Sequence, residues 1–199
     1  MALTSARTLK WNWNWLNRIP MNLTTMNEGI SVRTCNSKDI DALVSLGIKT
    51  FRDTFDEFNS PENMIRYIND TFTKKIIEHE IKQPGTAYFL AFDGRRAVGY
   101  AKIRSSHAPR ELGSTSSLEI ERLYAHRDYL GKRVGHMLMQ TCLAYAKKKG
   151  VQTLWLGVWE NNPRAISFYE KNGFVRFGQH TFMLGEDAQT DWLMKKDIR

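Results

Sequence analysis

Apolar positions along this chain switch repeatedly between the period of a strand and that of a helix. Residues 30–34 alternate as a strand does. Behind Ser37, a residue type that caps helices, Ile40, Leu43, Val44, Leu46 and Phe51 fall at helical spacing. Ser60-Pro61-Glu62 predicts a second helix start, with Ser at the cap and Pro at the first helical position. Thr73 caps a third short helix that Pro84-Gly85 ends. Residues 86–92 and 97–104 read as two strands joined through the turn signal Asp93-Gly94, followed by a polar loop over 105–116. A strand over 117–124 leads to a helix over 132–149 whose stripe is Val134, Leu138, Cys142 and Tyr145, with Gly150 as its C-terminal stop. A strand over 153–159, a helix over 162–171 ended by Gly173, and strands over 174–177 and 191–195 complete the pattern. This order predicts an α/β fold, a mixed sheet with helices on both faces.

Composition changes that picture little, except at the N-terminus. Residues 1–28 hold the run WNWNW, three basic residues and no acid before Glu28, which is too polar for a secretory core. They are expected to lie outside the fold as a disordered or presequence-like extension, leaving 29–199 as one domain. The two cysteines, Cys35 and Cys142, form no CxxC or Cys/His cluster, so neither a metal site nor a disulfide framework is expected. That pattern suits a reducing cytoplasm. No apolar run reaches the ~20 residues that span a bilayer, which argues against a membrane protein. The formal net charge is +8. It suits a nucleic-acid binder or an enzyme with an anionic cofactor, and the absence of a basic stripe interleaved with aromatics argues against nucleic acid.

Chemistry concentrates between 118 and 174. The turn Leu130-Gly131-Lys132-Arg133-Val134-Gly135-His136 opens a predicted helix directly after a strand. Free backbone N–H groups and the positive dipole end attract phosphate there, and Lys132 and Arg133 add charge. The plainer reading is a basic helix start that caps a loop. Glu119 and Glu121, spaced i, i+2, are expected on one face of their strand, a face that continues to Leu123. Such carboxylates can draw in a cationic amine and take its proton, or can be two surface acids. Tyr169 is either a core tyrosine or a proton donor.

Taken together, SLEIERLY at 117–124, LGKRVG at 130–135 and Asn162-x-x-Ala165-x-x-x-Tyr169-x-x-x-Gly173-Phe174 resemble the acyl-CoA-binding motifs of the GNAT N-acetyltransferases. Leu130 and Arg133 stand where the family has Gln/Arg and its first Gly. The resemblance implies a mostly antiparallel sheet with a splayed pair of strands and acetyl-CoA as cosubstrate, without a metal. The strand at Leu123, Tyr124 and Ala125 would hold the pantetheine, Gly131 to His136 the pyrophosphate, and Asn162 the pantetheine arm. Tyr169 would serve the thioester sulfur. Glu121, with Glu119 as the alternative, would be the base. The strings TFRDTFDEFNSPENM, GQHTFMLG and QTDWLMKK narrow the similarity to PaiA-type spermidine/spermine acetyltransferases, and hence to a polyamine acceptor, with a homodimer compatible with it. Further acids for such an acceptor are Asp53, Asp56, Glu57, Glu186, Asp187 and Asp191; His180, Gln189 and Trp192 fall in the matching strings without a role. A different amine acceptor, a non-catalytic acyl-CoA-binding regulator, or a DNA-binding regulator are the rival readings.

Overall fold

A computed structural model describes residues 24–27, 29–105, 108–185 and 187–198. Eight strands form one sheet. In chain order they are β1 (Thr24–Asn27), β2 (Ile30–Thr34), β3 (Ala87–Asp93), β4 (Arg96–Arg104), β5 (Ser117–Ala125), β6 (Thr153–Trp159), β7 (Val175–Leu184) and β8 (Asp187–Asp197). Their spatial order is β1-β2-β3-β4-β5-β6-β8-β7. All neighbours are antiparallel except β5 and β6, so the expected mixed, mostly antiparallel sheet is present. The helices are α1 (Ile40–Phe55), α2 (Pro61–Thr71), α3 (Lys74–Lys82), α4 (Val134–Lys149) and α5 (Pro163–Lys171). No helix among the described residues is long and apolar enough to cross a membrane.

The two sheet faces bury different helices. Leu43, Leu46 and Phe51 of α1, Met64 and Ile68 of α2 and Ile77 of α3 pack with Tyr88, Leu90 and Tyr100. On the other face Val134, Leu138, Cys142 and Tyr145 of α4, with Ile166 and Tyr169 of α5, cover Phe89, Ala101, Ile103, Ile120 and Leu156. β3 therefore reads apolar on both faces, as a strand sandwiched between helix layers must.

Local chemistry sets the boundaries. Ser60 and Thr73 accept N–H bonds from Asn63 and Ile76 and cap α2 and α3 as expected. Ser37 does not cap α1. It lies inside a 3₁₀ turn, Ser37–Asp39, capped by Asn36, whose side chain accepts from Lys38 N–H while Asp39 accepts from Asn36 N–H. Asp39 is itself gripped by both terminal nitrogens of Arg33, at 2.8 and 2.6 Å. α4 starts at Val134 rather than Lys132, because Arg133 adopts a left-handed backbone, φ 62°. β7 and β8 run as a long hairpin well beyond the predicted 174–177 and 191–195, pairing out to Leu184 and Asp187, with Leu184 buried in the α1–α3 core. Of the expected N-terminal extension, Thr24–Asn27 pairs with β2 at the sheet edge, so the sheet begins ahead of the expected boundary at 29. Residues 1–23, residue 28 and Glu186 lie outside the described residues.

Candidate active site

β5 and β6 pair only from Ser117–Glu119 to Thr153–Trp155. Beyond that point they diverge, and the gap opens into a cleft of about 580 Å³. Its walls carry residues of α1, β5, the β5–α4 turn, β6, α5, β7 and β8. One side of the sheet offers the N-terminus of α4, the other the helices α1 and α2.

A bulge organises β5. Lys102 pairs with Arg122 and Ile103 with Ile120, which leaves Glu121 as an extra residue. Leu118 and Ile120 face α4 before it, and Leu123 and Ala125 pack toward α4 after it. Arg122 and Tyr124 therefore take the α1 face, where Arg122 lies 5.1 Å over the Phe72 ring and Tyr124 stacks on Tyr100. The expectation that Leu123 shares the face of Glu119 and Glu121 fails here, because the extra residue resets the alternation. The N–H of His126 donates to Val98 O at 2.8 Å. By strand alternation, Tyr124 and Arg122 also bond toward β4, and the main-chain groups of Leu123 and Ala125 turn into the gap. Unpaired backbone there is tolerable where a ligand uses it.

Glu119 and Glu121 are not free acids. Arg104 reaches both, Nε to Glu119 at 2.8 Å and a terminal nitrogen to Glu121 at 2.8 Å. Lys102 bridges Glu80 and Glu121 at 2.5 and 2.8 Å, and Arg122 also contacts both. Tyr88 donates to Glu80 and accepts from Arg122. Three acids and three cations form a closed network, with Lys102 only 2% exposed. Glu121 lines the cleft from it, while Glu119 does not.

At the α4 end the turn concentrates donors. Gly131 and Arg133 have positive φ, and Arg133 is the only non-glycine residue to do so among the described residues. The first-turn N–H groups of Val134, Gly135 and His136 have no carbonyl one turn back within the helix. Arg127, Arg133 and Arg164 line this end with Gly131, Val134, Gly135 and His136; Lys132 does not line it but lies 4.9 Å over the ring of Tyr129, which does. A Cβ added to Gly135 would meet the Phe168 ring at 3.6 Å. This is a cradle suited to a diphosphate.

α5 supplies the remaining expected residues. Asn162 caps it, its Oδ1 accepting from Ala165 N–H at 3.0 Å, which leaves the Nδ2 donors for the cleft. Tyr169 is 8% exposed, packed against Phe168 and Phe174, and lines the cleft. Burial raises its phenol well above the ordinary value.

The acceptor side brings Asp191, one of the acids expected for the acceptor, beside His180, which the sequence reading left without a role. Asp191 lies 3.7 Å from His180 on the neighbouring strand β7. Burial raises its carboxyl, opposed by His180 and reinforced by Glu160. Phe51, Phe55, Tyr67, Trp159 and Phe182 wall the cleft around it. Asp53 also lines the cleft but is paired with Lys49, and Asp56 pairs with Arg52 at 3.6 Å. Strand alternation over 187–197, had its full length been read, would have grouped Asp187, Gln189 and Asp191 on one face. Among the described residues no His, Cys, Asp or Glu group of three or more converges on a metal position.

A divided sheet with an anion cradle on one face and an acid-bearing, aromatic pocket on the other defines a group-transfer enzyme whose two substrates meet through the gap. The chain belongs to the Acetyltransferase (GNAT) family, whose sequence pattern matches residues 48–174, and its chemistry is acetyl transfer. An N-acetyltransferase of Lactobacillus delbrueckii subsp. lactis is 37% identical over 85% of this chain and 98% of its own. The spermidine N(1)-acetyltransferase of Thermoplasma acidophilum is 25% identical over 73% and 88%. The fold matches that of the PaiA N-acetyltransferase of Thermoplasma acidophilum, solved with coenzyme A, at a TM-score of 0.68 and 23% identity over 86% of this chain and 99% of that one.

Proposed function

We propose that this enzyme transfers the acetyl group of acetyl-CoA directly to a primary amine of a small polyamine. The observation that carries the reading is the charge contrast along the cleft. Arg127, Arg133 and Arg164 gather at the α4 end, whereas Asp191 stands at the other. Trp159 and Gln189 line both the main cleft and an adjoining groove that holds Glu160 and Asp187. Asp187 and Asp191 lie four residues apart on β8, about 13 Å along an extended strand. No Lys or Arg pairs with Glu160, Asp187 or Asp191 among the described residues. Spaced, cation-free acids suit a flexible polycation, while the basic end suits the phosphates of coenzyme A. The spermidine acetyltransferase among the relatives supports the same acceptor class.

In this reading the main-chain groups of Leu123 and Ala125 hold the pantetheine, with Tyr124 as a side wall and Asn162 Nδ2 on the arm. Gly131, Arg133, Val134, Gly135 and His136 take the diphosphate, and Lys132 adds charge from outside. The Leu123 N–H faces the thioester oxygen and stabilises its developing charge. The amine attacks the carbonyl carbon, the C–S bond breaks, and the thiolate leaves beside Tyr169. A thiol ionises near ~8.5, below this raised phenol, so Tyr169 stabilises the thiolate chiefly by donating a hydrogen bond. Glu121, with Glu119 behind it, holds Arg104, Arg122 and Lys102 and sets the floor of the acceptor side.

The test is coenzyme A release with spermine, spermidine, a monoamine and a peptide. Catalytic efficiency should fall more steeply with ionic strength for spermine than for the monoamine. Equal salt dependence, or preference for an uncharged acceptor, refutes the polyamine and leaves acetyl transfer to another amine.

A further inference from the structure

Two carboxylates line the cleft from strands flanking the gap, and only one is available. Glu121 on β5 is held by Lys102, Arg104 and Arg122 at 2.8–3.0 Å. These contacts tie Glu121 into the closed network on the α1 face. Asp191, reached from β8 across β6, has no such partner among the described residues, where it pairs with His180.

The backbone beside it is shaped for a carboxylate. Asp191 pairs with Trp159 of β6, and its side chain reaches over Gly157, where a Cβ would stand 3.3 Å from Asp191 Oδ2 and 3.6 Å from His180 Cε1. A Cβ at 157 would press closely on the Asp191 oxygen, so glycine leaves that oxygen room beside β6. His180 lies behind Asp191 and is half exposed, with 44% of its side chain reaching solvent. The arrangement runs from the cleft, through a half-buried acid, to an open imidazole.

We infer that Asp191 takes the proton from the acceptor amine and that His180 hands it on to solvent. This rests on acetyl transfer in this cleft, and only its choice of probe rests on the polyamine reading. The protons balance. An ammonium R–NH3⁺ gives one proton to the Asp191 carboxylate, and the neutral amine forms the C–N bond. The attacking nitrogen then sheds a second proton, which ends on the coenzyme A sulfur as the C–S bond breaks. The amide keeps the third. The proton on Asp191 leaves through the imidazole, restoring the carboxylate. The charged and titratable groups facing Asp191 are His180 from β7, Glu160 beyond β6 and the Tyr67 phenol from α2. Burial with Glu160 nearby raises the basicity of Asp191, the direction a proton acceptor needs.

The experiment compares wild type, Asp191→Asn, Asp191→Glu, His180→Gln and Glu121→Gln as full-length proteins, with saturating acetyl-CoA and spermidine as probe. Asp191→Asn should lower kcat about 10²-fold near neutral pH, with a smaller change in KM. Its deficit should shrink steadily as pH rises, because an amine already neutral in solution needs no base. Asp191→Glu should regain part of the rate, which also answers for a variant that folds poorly, and His180→Gln should lose about tenfold or less. An activity-free readout is carbon NMR of labelled aspartate carboxyls in the free protein. The resonance absent from Asp191→Asn should titrate above the ordinary aspartate range and shift on adding spermidine. A loss confined to KM with no narrowing at high pH would make Asp191 an anchor and overturn the proposal. So would narrowing seen in Glu121→Gln instead. If spermidine is not turned over but another amine is, the polyamine reading fails and the same profiles with that amine decide Asp191. Turnover of no amine overturns both.

Discussion

Arg133 carries two opposed contributions that a pair of substitutions separates. Its φ of 62° lies in the left-handed region, and its side chain is exposed. A side chain bearing a Cβ costs roughly 1–2 kcal/mol there. Arg133→Ala keeps that cost and removes only the guanidinium. Stability should then stay within about 0.5 kcal/mol of wild type, as for an exposed site without a pairing partner. Affinity for coenzyme A should fall about tenfold, the worth of one partly screened charge on a diphosphate. Arg133→Gly removes the strain as well, while the freer unfolded chain offsets roughly 0.5–1 kcal/mol of the gain. A net of about 0.5–1 kcal/mol remains, a rise in Tm of about 1–4 °C over the alanine variant for a chain of this length. The assay is a thermal melt for stability and calorimetry for coenzyme A. Glycine no more stable than alanine would refute the left-handed assignment. Unchanged affinity in the alanine variant would show that the guanidinium does not face the anion.

Three other outcomes follow from the packing. Tyr169→Phe should lower turnover by ~10²-fold or more with little change in coenzyme A binding by calorimetry, and full activity would leave Tyr169 a packing residue. Lys102→Met leaves Glu80 and Glu121 short of a buried cation and should cost about 3 kcal/mol in a denaturant titration, far more than an exposed ion pair. Arg33 holds the Asp39 carboxyl below its ordinary value, so its stabilisation is complete above the unfolded value of ~3.9 and is lost as pH falls through the lower folded value. Asp39→Asn should therefore cost about 1–2 kcal/mol at pH 7, and the difference from wild type should close in acid melts.

Helix positions and strand order were legible because each helix buries one stripe and each cap uses a local side chain. The α2 and α3 starts at Ser60 and Thr73 are examples. The turn at 130–136 was legible as the opening of a helix after a strand, and the structure places it there. Three features were not. The bulge at Glu121 is set by β4 pairing, a non-local event that period-two reading of β5 alone cannot detect. It moved Leu123 off the glutamate face. The ion pairs that occupy Glu119 and Glu121 come from Lys102 and Arg104 on β4 and from Glu80 on α3, brought close only by folding. The reach of β8 to Asp187 was hidden because its first residues are polar, while the apolar residues that anchor the tip, Phe182 and Leu184, lie on the partner strand β7. Asp191 was named as one acid among several, and its partner His180 sits on a different strand.

The bulge in β5 has an evolutionary consequence. It works as a joint between two halves of one strand, both of which keep their apolar residues against α4 because one extra residue is absorbed between them. Substitutions before the joint can retune the acceptor side while the cofactor half keeps its register. A one-residue deletion at 121 would restore regular pairing with β4, keeping Arg122 on the α1 face and Leu123 on the α4 face while removing the carboxylate that holds Lys102, Arg104 and Arg122. Lineages descending from this enzyme should accordingly keep an acid at 121, because any other residue leaves the buried cations Lys102 and Arg122 short of a partner.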